Sequence, residues 1–230
     1  MDSMMFEILD YVGAFIMPCG NCFYCVKGQE DLCESFFAYN CAKGTLYDGE
    51  TRLFLRGNGC AVFTAYGALR PPAEMRPGDS VAVIGVGGVE SSCLQIAKAF
   101  GASQVIAVDV LDEKLQNATT LGATHTVNAA NDDAVESIKE ITDGRGVDVA
   151  IDALGKALTF SQCAKSVKII GSYGARARKD LPQIVKLAES GAFNLQNTIS
   201  RKCKFEEANG AYEDLNHGKI VGRAVVEIMG

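Results

Sequence analysis

Four cysteines stand at Cys19, Cys22, Cys25 and Cys33, a C-x2-C-x2-C-x7-C spacing inside one short, turn-rich stretch. Four thiolates satisfy the tetrahedral preference of Zn²⁺ and leave no coordination place open, so such a site holds a loop in shape and does no chemistry itself. The alternatives are an iron–sulfur cluster, disulfides, or unrelated free thiols. The closely spaced cysteine run of a cluster site ends with an x3 gap and a proline. Here the gap is x7 and Glu34 follows Cys33. The spacing favours one structural zinc per chain.

A second constellation is Gly85-Val86-Gly87-Gly88-Val89-Glu90, directly after the apolar run Val81-Ala82-Val83-Ile84. A glycine turn between strand and helix can seat a pyrophosphate: Gly85 permits the tight turn, Gly87 lets the backbone approach, and the helix N-terminus meets the charge. Gly88 and Val89 complete the turn. Asp109 closes the next strand, twenty-four positions after Gly85. A carboxylate there accepts hydrogen bonds from both adenosine ribose hydroxyls and repels a 2′-phosphate, which favours NAD over NADP. The third glycine position, however, holds Glu90. Its carboxylate suits an empty helix N-terminus by about 0.3–1 kcal/mol and opposes a bound diphosphate, so weakened cofactor affinity is expected. The bland alternative is an α/β domain whose glycine turn binds nothing.

The elements that must position these groups are legible in the apolar pattern. Residues 1–56 show no lasting period. From Ser80 onward, short apolar runs alternate with helical patterns: strands at 81–84, 105–108, 125–128 and 147–151, and helices from Val89 to Phe100, 112–121, a stretch with Val135, Ile138 and Ile141 capped by Asn131 or Asp132, and 157–166. That alternation implies an α/β fold with a doubly wound, Rossmann-like parallel sheet. Val167–Gly171 reads as a fifth strand, Asp180 and Pro182 open a helix through Leu187, residues 205–215 form a weaker helix, and Val221–Ile228 is strand-like.

At 230 residues and 48% hydrophobic, the chain can bury a sizeable core. A net charge of −6 with dispersed Lys and Arg argues against nucleic-acid binding. The apolar run Tyr11–Met17 is too short to span a bilayer and lacks a basic flank, so neither membrane insertion nor secretion is expected. Nine cysteines then fit a reducing compartment, with the cytoplasm as the default. The scattered ones (Cys41, Cys60, Cys93, Cys163, Cys203) read as small buried hydrophobes before they read as redox thiols.

The cysteine lobe, then Gly59-Cys60-Ala61-Val62-Phe63-Thr64-Ala65-Tyr66-Gly67-Ala68, the glycine turn and Val108-Asp109 occur in an order that resembles the zinc-dependent medium-chain alcohol dehydrogenases. The resemblance runs from about Val12 to the C-terminus. It implies a remnant of the catalytic domain with the zinc lobe over 1–60, a dinucleotide-binding domain over 61–172, and a segment over 173–230 returning to the catalytic domain. It matches Cys60 to a catalytic zinc ligand, Asp109 and Lys114 to groups holding the adenosine ribose, and Arg223 to a group near the pyrophosphate. It implies NAD-dependent hydride transfer with a small alcohol or aldehyde, and a homodimer.

The chain departs from the family pattern. No upstream ligand cysteine with its proton-relay neighbour, and no His-Glu pair, precedes Cys19. The two histidines, His125 and His217, fall on a strand and in a late turn and read as structural. Catalytic-domain strands look missing between Arg56 and Gly59, and a strand lining the nicotinamide pocket looks missing at Val167. Two readings follow: an alcohol dehydrogenase-like oxidoreductase with impaired activity, or a silent zinc- and nucleotide-binding subunit that pairs with a complete paralogue.

Overall fold

The computed structural model describes residues 18–36, 38, 59–70, 73–164, 171–172, 174–193, 199–220 and 223–227. Along the chain run α1 (Phe23–Val26), α2 (Gly59–Leu69), β1 (Ser80–Ile84), α3 (Gly88–Ala99), β2 (Gln104–Asp109), α4 (Asp112–Thr120), β3 (His125–Asn128), α5 (Ala134–Ile141), β4 (Val149–Asp152), α6 (Ala157–Ala164), α7 (Ala177–Glu189), β5 (Ile199–Lys204), α8 (Ala208–Asn216) and β6 (Arg223–Glu227).

Strands β1 to β4 form one parallel sheet in the order β3-β2-β1-β4. β1 is buried at every position, as an apolar strand with helices on both faces must be. Alternate residues feed two cores. Val81, Val83, Val105 and Ala107 join Leu94, Ile96 and Ala97 of α3, Tyr66 and Leu69 of α2, and Ile184 of α7. Ala82, Ile84, Ile106 and Val108 join Val127 and Val147, with Ala134 and Ile138 of α5. Each fully buried Val, Ile or Leu stabilises the fold by about 1.5–3 kcal/mol. Together the two layers make the doubly wound architecture that the pattern implies.

Several boundaries differ from the sequence expectation. Asp133, not Asn131 or Asp132, caps α5: its Oδ1 accepts from the amides of Val135 and Glu136 at 2.9 and 3.2 Å. The amides of Asn131 and Asp132 are drawn back to the Asn128 carbonyl at 3.1 and 3.0 Å, which delays the helix. α7 begins at Ala177, and Asp180 reaches back to the Arg176 amide at 2.7 Å, so Pro182 falls in the second turn. β4 starts and ends later than 147–151. Two elements escaped the pattern altogether: α2, and β5, which pairs in parallel with β6 as a separate sheet. The expected strand Val167–Gly171 lies, up to residue 170, outside the described residues. Among the described residues no helix is long and apolar enough to cross a membrane.

Candidate functional site

In the cysteine lobe, Gly20 and Gly28 adopt positive φ, and the single turn α1 carries Cys25 inward. Cys25 and Cys33 are buried against Phe36, with Cys19 and Cys22 half-buried beside them. The four Sγ atoms lie within 4.8 Å of one another. A Zn–S bond of about 2.3 Å sets sulfur–sulfur separations near 3.8 Å in a tetrahedron, so small inward movements close the site. The amides of Cys19 and Phe36 donate to Cys33 Sγ at 3.3 and 3.4 Å. Backbone hydrogen bonding at Asn21, with help from Ser35, lowers the Cys19 thiol to about 6. Backbone contact at Cys25 lowers Cys22 as well. Burial pushes Cys25 up to about 12. A bound dication removes that conflict, because a coordinating thiol is deprotonated outright. The residues fit zinc.

The glycine turn leaves the C-terminal end of β1. Since β2 and β4 flank β1 on opposite sides, the chain's direction of winding reverses there, and the crevice beyond such a switch point is where doubly wound sheets bind ligands. Gly85 has φ +97°, a conformation that a side chain disfavours. The Val86 amide donates to Asp109 Oδ2 at 2.8 Å, tying the turn to the end of β2. Asp109 Oδ1 accepts from the amides of Val110 and Leu111 at 2.8 and 3.1 Å. α4 brings Lys114 Nζ to 3.9 Å from Asp109 Oδ2. β6 brings Arg223 over the turn, where a Cβ on Gly88 would lie 2.7 Å from its Nε. Val89 is half-buried against the core. Gly85, Gly87, Gly88, Asp109, Lys114 and Arg223 thus lie about the turn at the C-terminal end of β1, while Val89 packs inward against the core. Sequence reasoning missed Leu154, whose Cδ1 would sit 2.9 Å from a Cβ on Gly85. Its position just after β4, on the far side of the switch point, was the available signal.

Glu90 turns back over the same place. It is 4% exposed, and its Oε2 would lie 2.8 Å from a Cβ on Gly87. Burial raises its carboxyl above the usual carboxylate range, against the opposing pull of backbone hydrogen bonds at Glu90 and Gly87 and of the Lys114 charge. The residues for the adenosine half of NAD fit, and the carboxylate of Glu90 occupies the space over Gly87.

Cys60 lies in the first turn of α2, and its side chain falls outside the described residues. The cysteine quartet is the one cluster of potential metal ligands among the described residues. His125 is exposed at the start of the outer strand β3, with Nδ1 2.9 Å from Thr124 Oγ1, and His217 is the C-cap residue of α8.

A protein-family model described as zinc-binding dehydrogenase matches residues 75–190. The NAD-dependent alcohol dehydrogenase of Sulfolobus acidocaldarius is 32% identical, with 91% of this chain and 72% of that protein covered. The S-(hydroxymethyl)glutathione dehydrogenase of Saccharomyces cerevisiae is 27% identical, over 90% and 72%. Among solved structures, the alcohol dehydrogenase of Thermus sp. ATN1 superposes with TM-score 0.77 and 26% identity, over 94% of this chain and 78% of that one. The Sulfolobus match extends over 254 positions, more than this whole chain contains, so that relative carries stretches within the matched region that this chain lacks. Four clustered thiols, a glycine turn at the switch point and these likenesses lead to one conclusion: the chain belongs to the zinc-dependent medium-chain alcohol dehydrogenase family.

Proposed function

We propose that this chain is an NAD-using, zinc-binding oxidoreductase of the alcohol dehydrogenase type, acting on a small alcohol or aldehyde with turnover reduced by an incomplete catalytic metal site. The single observation that carries the reading is the convergence of Gly85, Gly87, Asp109, Lys114 and Arg223 on the switch-point crevice. In that crevice Asp109 would hold the adenosine ribose, with Lys114 beside it, while Arg223 would face the diphosphate. Nicotinamide supplies the hydride acceptor and a zinc ion the Lewis acid that lowers an alcohol's pKa. Cys60 would be one ligand of that ion. The quartet Cys19, Cys22, Cys25 and Cys33 would hold the structural zinc and keep the lobe folded.

The division at about residues 60 and 172, the cytoplasmic location and a homodimer belong to the same proposal. The silent-subunit reading, with a complete paralogue as partner, draws support from the stretches present in the Sulfolobus relative and lacking here. Metal analysis with NADH titration tests both. One zinc per chain and measurable NADH binding support the proposal. Two zinc ions per chain would restore a full catalytic site, and no zinc would remove the structural one.

A further inference from the structure

Glu90 is a buried carboxylate in the place that the cofactor's diphosphate needs. Charged and titratable groups face it from three other elements: Asp109 at the end of β2, Lys114 from α4, and Arg223 from β6, lying over the neighbouring Gly88. Cys93, one turn along its own helix, is kept a neutral thiol by burial, with the Glu90 charge adding to the effect. The wall after β4 contributes Leu154, which is apolar.

We propose that Glu90 is an internal competitor for the dinucleotide diphosphate, so that NADH enters this crevice together with a proton on Glu90, and its affinity falls as pH rises. The inference rests on the reading that the Gly85–Gly88 turn holds the cofactor. In the free protein the carboxylate takes the backbone amides that a phosphate would otherwise use. A diphosphate brought beside it adds like charge, and two charges about 4 Å apart at an effective dielectric near 20 repel strongly enough to shift a titration by several decades, less where water remains.

The sign follows from that repulsion. Burial already holds the free carboxyl high, and the bound ligand raises it further. Below the free value Glu90 is protonated in both states and affinity is greatest. Between the free and bound values each complex takes up a proton from solvent and affinity drops with pH. Above the bound value it levels off.

The test is NADH fluorescence titration of the zinc-loaded full chain between pH 6 and 8.5. Calorimetry in two buffers of different ionisation enthalpy counts protons taken up. Wild type, Glu90→Gln and Glu90→Gly are compared. Wild-type affinity is expected to fall about tenfold or more across the range with net proton uptake, while Glu90→Gln binds at least about tenfold tighter at pH 8 with a flat profile. A flat wild-type profile with no tightening in Glu90→Gln overturns the proposal. Should Glu90→Gly unfold, the isosteric Gln variant decides alone. If no form binds NADH at any pH while circular dichroism and zinc content match wild type, the nucleotide reading itself fails and the competitor falls with it.

Discussion

Gly67 lies in the third turn of α2, where the chain at Gly174 and Ala175 crosses the helix. A Cβ at residue 67 would lie 2.1 Å from the Gly174 carbonyl carbon and 2.4 Å from both Gly174 O and Ala175 N. All three are backbone atoms, so no side chain can turn aside. Non-bonded carbons settle at about 3.5–4.0 Å, so Gly67→Ala must push the crossing segment outward by more than about 1 Å. That displacement strains the Ala175 amide to Phe63 carbonyl bond, 2.9 Å long in wild type. Overpacking costs about 1–3 kcal/mol and the weakened hydrogen bond about 0.5–1.5 kcal/mol. Alanine returns about 1 kcal/mol through its helix propensity. The net expectation is a loss of about 1–3 kcal/mol, or a Tm lowered by roughly 3–10 °C. Gly210→Ala is the matched control: it also lies in a helix, α8, with nothing within 4 Å of the added methyl. It should stabilise by about 0.5–1 kcal/mol. Urea denaturation of both variants in zinc-containing buffer measures the difference. If Gly67→Ala is as stable as wild type or more so, the crossing is not tight and the account of how the Gly174–Ala175 segment holds α2 fails.

Cys33→Ser should lose the structural zinc, read as less than one metal per chain by elemental analysis, and loosen the lobe to proteolysis; retention of stoichiometric zinc would count against the four-thiolate site. Asp148 accepts from the Ser80 amide and hydroxyl, each at 2.7 Å, and those bonds hold its carboxyl below the ordinary value. A depressed carboxylate adds stability that is present above its unfolded pKa and is lost as pH falls through its folded one, so Asp148→Ala should cost about 1 kcal/mol near pH 7, discounted for solvent screening, and almost nothing at strongly acid pH. An equal loss at both pH values would mean that packing, not charge, is responsible. Turnover of small primary alcohols with NAD should be far slower than that of a dehydrogenase with a complete catalytic zinc site, and NADH absorbance growing across an alcohol panel at the rate of such an enzyme would contradict an incomplete site.

The sequence discloses most of the sheet because buried parallel strands are written as unbroken apolar runs, as in Val81–Ile84 and Val105–Val108, and because glycines mark the helix ends. The glycine turn, Asp109, Lys114 and Arg223 were readable only through the family resemblance and the strand context, and the structure gathers them around one crevice. α2 escaped notice for a physical reason. Packed between α3 and α7, it buries Ala61, Val62, Phe63, Ala65, Tyr66 and Leu69, so its surface is apolar on most sides and shows no amphipathic stripe. β5 escaped for the opposite reason: Ile199-Ser200-Arg201-Lys202-Cys203-Lys204 is mostly polar, with Cys203 its one buried position, and a strand in a two-stranded sheet needs little apolar surface. Leu154 was missed because its position just after β4 becomes informative only once β4 is known to lie beside β1, and strand order is not written in any local pattern.

Glu90 shows how local and functional consistency part company. In a cofactor-free chain it obeys the rules for a helix start, a carboxylate in the first turn of α3 facing backbone amides. In a cofactor-bound chain the same amides and the same space serve a diphosphate, and a glycine at that position would leave them clear. The two demands cannot both be met by one ionised side chain held at 4% exposure. A residue that satisfies the empty fold at the expense of the ligand is therefore the place where sequence and activity diverge in this chain, and its protonation state becomes the variable that links them.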